Sequence, residues 1–149
     1  MEKPKRILLV EDSKNDVELT LLALAEHKLA NEVDVVHDGV EALDYLFRRG
    51  TFQSREPTNP AVILLDLKLP KVDGLEVLRQ TRSDPRLKLI PVVVLTSSRE
   101  ERDLTESYNH GVNAYVVKPV DFQHFVEAVK NLGIFWVLVN EPPPGTARK

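Results

Sequence analysis

Five short apolar runs alternate with helix-like segments along this 149-residue chain, and that alternation constrains the fold more than any other feature. Repeats of this kind build βαβ units, which assemble into a parallel sheet. The runs lie at Arg6–Val10, Val33–Val36, Ala61–Leu65, Val92–Leu95 and Ala114–Val117. The first intervening segment, 15–27, is helical by periodicity, with Val17, Leu21, Leu24 and Ala25 on one stripe. The second, 40–49, turns Val40, Leu43, Leu46 and Phe47 inward, and Gly50 is its natural stop. A third helix begins after Asp73-Gly74 and carries Leu75 and Leu78. Ser98-Arg99-Glu100-Glu101 matches a capping box and starts a helix that ends near His110-Gly111. Asp121 caps the last helix, whose Phe122, Phe125, Val126, Val129 and Leu132 face inward. Residues 51–60, TFQSREPTNP, read as a polar, proline-containing surface insertion.

Composition removes several function classes. A net charge of −3 and a pI near 5.8 offer no basic field for nucleic acid or an anionic membrane. The chain contains no cysteine, which excludes a disulfide scaffold, a thiolate metal site and a cysteine nucleophile. The apolar run near the N-terminus lasts four residues before two acids, too short for a signal peptide. The run Ile134–Val139 is too short to span a membrane, so the cytoplasm is the expected compartment.

The chemistry sits at the downstream ends of four runs: Glu11-Asp12, Asp66, Thr96 and Lys118. In a doubly wound parallel sheet those ends open into one crevice, where ligands bind. Asp66, closing VILLD, is placed to act as a nucleophile toward phosphorus, although aspartate also commonly begins a turn. Glu11 and Asp12 lie beside it when the first and third strands are neighbours. Three carboxylates that close cannot all ionise without a cation, and a hard, oxygen-seeking ion such as Mg²⁺ resolves the conflict. Taken separately, Glu11-Asp12 would simply complement a helix N-terminus. Lys118, before Pro119, supplies an ammonium for phosphate oxygens, and a cis bond there would turn it inward. Thr96 supplies a hydroxyl.

Together these residues resemble the receiver domain of bacterial two-component response regulators, over about residues 5–132. The resemblance implies a flavodoxin-like, doubly wound, five-stranded parallel sheet in the order 2-1-3-4-5 with helices on both faces. It implies that Asp66 is the phosphoacceptor and that Asp12 binds the metal directly. Glu11 would act largely through metal-bound water, and the Lys68 backbone carbonyl would add a ligand. The ion is Mg²⁺, with Mn²⁺ or Ca²⁺ able to substitute. Thr96 and Lys118 would contact the phosphoryl group, and Tyr115 matches the aromatic that rotates as the Thr96 hydroxyl moves. Lys68 and Ser98 occupy the positions that gate hydrolytic water.

After the last predicted helix comes Leu132-Gly133-Ile134-Phe135-Trp136-Val137-Leu138-Val139, apolar nearly all round. Left bare it would be a large exposed patch, so it folds back or buries against a second copy in a two-fold dimer. This ending and the insertion resemble the single-domain regulators paired with phytochrome-type histidine kinases. That resemblance implies a homodimer through Phe135, Trp136 and Leu138, together with the helix over 98–110, the strand 114–117 and the last helix. The expected organisation is one domain over 1–139, with residues 133–139 as the extension and 140–149 as a mobile tail.

The function so implied is a stand-alone, cytoplasmic receiver that takes a phosphoryl group from a histidine kinase, a bacterial phytochrome by the second resemblance, and switches a protein contact surface. It is a switch rather than a turnover enzyme, although it helps make and hydrolyse its own acyl phosphate. Alternatives are a relay passing phosphate to a histidine phosphotransfer protein, an aspartyl-nucleophile phosphohydrolase, or a module that keeps the fold without the chemistry. Lys68 stands where such hydrolases carry a second acid, and EDSKND after the first strand is too acidic for a flavin phosphate loop.

Overall fold

The structure, a computed structural model, describes residues 6–25, 33–96, 111–118 and 120–131. Strands β1 (Ile7–Val10), β2 (Val33–Val36), β3 (Val62–Asp66), β4 (Val92–Thr96) and β5 (Ala114–Val117) form one sheet in the order β2-β1-β3-β4-β5. Every pairing is parallel. Helices α1 (Lys14–Ala25), α2 (Gly39–Phe47), α3 (Gly74–Ser83) and α4 (Phe122–Asn131) cover it. This is the layout that the alternating pattern requires.

Because successive strand residues point to opposite faces, the continuous apolar runs build two cores. Leu8, Val10, Ile63, Leu65, Val92 and Val94 pack toward α2 and α3 with Leu43, Leu46, Val77 and Leu78. Ile7, Leu9, Val62, Leu64, Val93 and Leu95 pack toward α1 and α4 with Val17, Leu24 and Phe125. A sheet buried on both sides explains why these strands read as uninterrupted apolar sequence rather than as alternation.

Three helix details depart from the periodic reading. In α1 the buried set is Val17, Thr20, Ala23 and Leu24, while Ala25 is exposed. At 100° per residue, Ala25 falls at the margin of the Val17 stripe. In α2, Val40 is 40% exposed whereas Ala42 and Tyr45 are buried. The α2 terminator is Arg48 rather than Gly50. Arg48 takes a left-handed φ of 56°, with Arg48 N–H donating to Tyr45 O and Arg49 N–H to Asp44 O, the Schellman pattern. Arg48 also donates from Nε to Arg55 O, which ties the helix end to the insertion.

The insertion itself is ordered by Arg55. Its guanidinium lies 4.1 Å from the Tyr45 ring centroid and donates to the Tyr45, Glu56 and Thr58 carbonyls. A 3₁₀ turn, Gly50–Phe52, brings Phe52 edge-on to Tyr45 at 5.3 Å between centroids. The helix predicted over 98–110 and the apolar segment 133–139 lie outside the described residues.

Candidate functional site

The strand register fixes the site before any side chain is considered. Val10 sits opposite Leu65, so Glu11 and Asp66 follow on adjacent strands at the same level. The Glu11 N–H donates to Val36 O and extends the ladder by one rung. Thr96 closes β4 opposite Val117, and Lys118 follows at once. The backbone thereby delivers the predicted residues to one crevice. The Thr96 side chain and Pro119 lie outside the described residues.

Two glycines hold the loop that follows Asp66. Gly74 N–H donates to Leu67 O at 2.9 Å. A Cβ on Gly74 would stand 2.4 Å from Asp66 O and 2.6 Å from Leu67 Cα. On the other side, a Cβ on Gly39 would meet Val72 O at 1.8 Å, so the loop backbone lies directly on the start of α2. Asp38 caps α2 by accepting from the Glu41 N–H, which holds its carboxyl below the usual range, and Lys71 pairs with it at 3.4 Å. These contacts remove the room in which Asp66 could wander.

Carboxylate oxygens of Glu11, Asp12 and Asp66 all lie within 4.8 Å of one another. Glu11 is fully buried and Asp66 nearly so, while Asp12 is exposed at the mouth. Lys118 reaches in over them, with Nζ 2.6 Å from Glu11 Oε1, 3.0 Å from Asp16 Oδ2 and 3.3 Å from Asp66 Oδ2. The latter two are aligned hydrogen bonds, whereas the buried Glu11 Oε1 has none. Its other oxygen accepts from the Ser13 N–H, and Asp66 Oδ1 accepts from the Lys68 N–H.

Burial raises the Glu11 carboxyl to about 7; the Lys118 ammonium opposes that rise and the Asp66 charge reinforces it. Burial alone would lower the pKa of Lys118, but the carboxylates of Glu11, Asp16 and Asp66 outweigh it and push the ammonium above its ordinary value. The result is a largely buried group of carboxylates facing one lysine among the described residues. Hard carboxylate oxygens gathered within 4.8 Å, in excess of the positive charge that faces them among the described residues, fit a divalent ion well.

Asp16 was not among the expected site residues. Its signal lay in Ser13-x-x-Asp16, which reads as a capping box. One half forms, since Ser13 Oγ accepts from the Asp16 N–H at 3.3 Å. The other half is taken by Glu11, leaving the Asp16 carboxylate to face Lys118. Tyr115 lies on edge strand β5 and is 38% exposed.

A five-stranded doubly wound sheet with an acidic, cation-ready crevice at its carboxyl edge defines the class of receiver-like α/β signalling domains. The chain belongs to the response regulator receiver domain family, whose model matches residues 7–130. It is similar to the bacteriophytochrome response regulator RtBRR, at 66% identity and a TM-score of 0.84, covering 96% of this chain and 86% of that one. Response regulator Rcp1 of Synechocystis sp. is 41% identical over 134 residues, 90% of each protein. A structure of Rcp1 in a Mn²⁺-bound form aligns with a TM-score of 0.74 at 38% identity, covering 98% of this chain and 99% of that one. The phosphorylated cyanobacterial phytochrome response regulator RcpA aligns at 43% identity with a TM-score of 0.76, covering 96% and 100%. The chain is thus a receiver-domain response regulator related to those of phytochromes. No helix among the described residues is long and apolar enough to cross a membrane.

Proposed function

We propose that Asp66 accepts a phosphoryl group from a histidine kinase and that the resulting acyl phosphate switches a protein contact surface. A carboxylate oxygen of Asp66 attacks the phosphorus of a phosphohistidine. The new P–O bond forms as the P–N bond breaks, and the departing imidazole recovers the electron pair and takes a proton from solvent. What supports this reading is the position of Asp66 at the crevice floor, with Glu11 and Asp12 within 4.8 Å and the Lys118 ammonium at 3.3 Å.

The side chains of Glu11, Asp12 and Asp66, with the Lys68 backbone carbonyl, would hold Mg²⁺, and Mn²⁺ or Ca²⁺ in its place. The ion would offset charge on the transferring phosphoryl oxygens. Lys118 pairs with one phosphoryl oxygen as a point charge, and the Thr96 hydroxyl donates to another. Movement of Thr96 is read out by Tyr115 on the exposed edge of the sheet. The relatives' names favour a phytochrome-type kinase as the donor, and action in the cytoplasm is part of the same proposal. A homodimer through Phe135, Trp136 and Leu138, which lie outside the described residues, belongs to the same proposal and rests on the apolar sequence there.

Incubation with acetyl phosphate and Mg²⁺ should add one phosphoryl group by intact-mass spectrometry. The Asp66→Asn protein should take up none, and chelation should abolish the reaction. Equal labelling of Asp66→Asn would remove the assignment.

A further inference from the structure

Among the described residues, Asp16 is the one carboxylate paired with Lys118 that is not in the metal-ready group. Glu11 and Asp66 each face two calls on their charge, one from Lys118 and one from any divalent cation among the three clustered acids. Asp16 contributes no oxygen to that cluster, yet it holds Nζ at 3.0 Å, between Glu11 Oε1 at 2.6 Å and Asp66 Oδ2 at 3.3 Å. Its carboxylate is available because Glu11 Oε2 has taken the Ser13 N–H that a reciprocal capping box would assign to Asp16. The first turn of α1 therefore presents an acid whose partner lies 102 residues away, across the mouth of the crevice.

We propose that Asp16 is a positioning residue that acts through Lys118, sharing the ammonium with Glu11 and Asp66 so that it can shift onto Asp16 when a cation takes those two acids. The inference rests on the phosphoacceptor and metal reading above and names the residue that keeps lysine and metal from competing. Without Asp16, a cation arriving at Glu11 and Asp66 must displace the ammonium with no neighbouring anion to receive it. With Asp16, the ammonium has a third anion that the cation does not claim, and it waits beside Asp66 for the incoming phosphoryl oxygens.

The test is calorimetric titration of the full chain with Mg²⁺, without any phosphodonor. Asp16→Asn, which keeps shape and removes charge, should weaken Mg²⁺ binding by about 3- to 10-fold, the scale of one nearby charge contact. Asp16→Glu should restore it to within about 2-fold. Lys118→Met separates the proposed route from plain electrostatic attraction, because the effect of Asp16→Asn should largely vanish in that background. Thermal melts in chelator confirm that each variant is folded. An unchanged affinity in Asp16→Asn would overturn the proposal, and so would an equal loss with and without Lys118. Failure of the phosphoacceptor reading would appear separately, as labelling that survives Asp66→Asn while these Mg²⁺ affinities still differ.

Discussion

The two ends of the sheet treat buried charge in opposite ways. At the amino edge, Arg82 projects from α3 and donates to Gly111 O, Lys88 O, Ile90 O and Asn113 Oδ1 at 2.7–3.0 Å. Asn113 Oδ1 in turn accepts from the Val92 N–H at the start of β4. Burial lowers the arginine's pKa, but every acceptor is a neutral oxygen anchored in backbone or side-chain amide, so none titrates. At the carboxyl edge, Glu11, Asp16, Asp66 and Lys118 meet side chain to side chain, and Glu11 Oε1 has no aligned hydrogen bond. The first arrangement is finished and can only be damaged. The second is unbalanced, and a ligand can complete it.

Replacing Arg82 should therefore be the costlier change to the metal-free fold. Arg82→Ala removes four hydrogen bonds from a charged donor, three of them at solvent-exposed acceptors, and should lower unfolding stability by about 2–3 kcal/mol by denaturant titration. Mg²⁺ affinity should change little. A large loss of affinity with intact stability would erase the distinction between the two ends.

The next effect is one of pH. Glu11 binds its proton more tightly in the folded chain, at about 7 against 4.5 for the unfolded group. Between those values the folded state holds more protons, so the Glu11 contribution is fully present below about pH 4.5 and is lost as pH rises through 7. In chelator the wild type should lose on the order of 2 kcal/mol more than Glu11→Gln over that window. Saturating Mg²⁺ should remove the difference. Parallel stability curves for the two proteins would show that burial does not strain Glu11.

A smaller effect concerns the frame. Gly74→Ala forces a methyl against Asp66 O and Leu67 Cα, which should cost about 1–2 kcal/mol. Its phosphorylation rate should fall by more than its stability explains, because the shifted backbone carries Asp66 with it. A rate equal to that of wild type would show that the loop tolerates the displacement.

The sequence carried the sheet and the convergence of Glu11, Asp12, Asp66 and Lys118 because both follow from backbone pattern. Apolar runs set the strands, parallel pairing aligns their ends, and the residue after each run is carried into the crevice. What was not legible depended on partner choice over distance. Ser13-x-x-Asp16 announced a local cap, and only the fold shows Glu11 taking half of it and Lys118 claiming the acid. Gly50 was the obvious end for α2, yet Arg48 stops it, with its side chain bonded to Arg55 in an insertion that sequence presented only as polar loop. Val40 lies exposed because Ala42, Leu43, Tyr45 and Leu46 already fill the buried face.

On the proposed function, the carboxyl-edge crevice is held short of positive charge so that it can take a divalent ion beside Asp66. Calorimetric titration with Mg²⁺ at pH values spanning 6 to 8, in buffers of different ionisation enthalpy, tests it most directly. One ion should bind per chain, with proton release that grows toward the lower pH values as Glu11 gives up its proton, and both Asp12→Asn and Asp66→Asn should weaken binding at least about tenfold. Binding that ignores both substitutions, or none at millimolar Mg²⁺, would contradict the account.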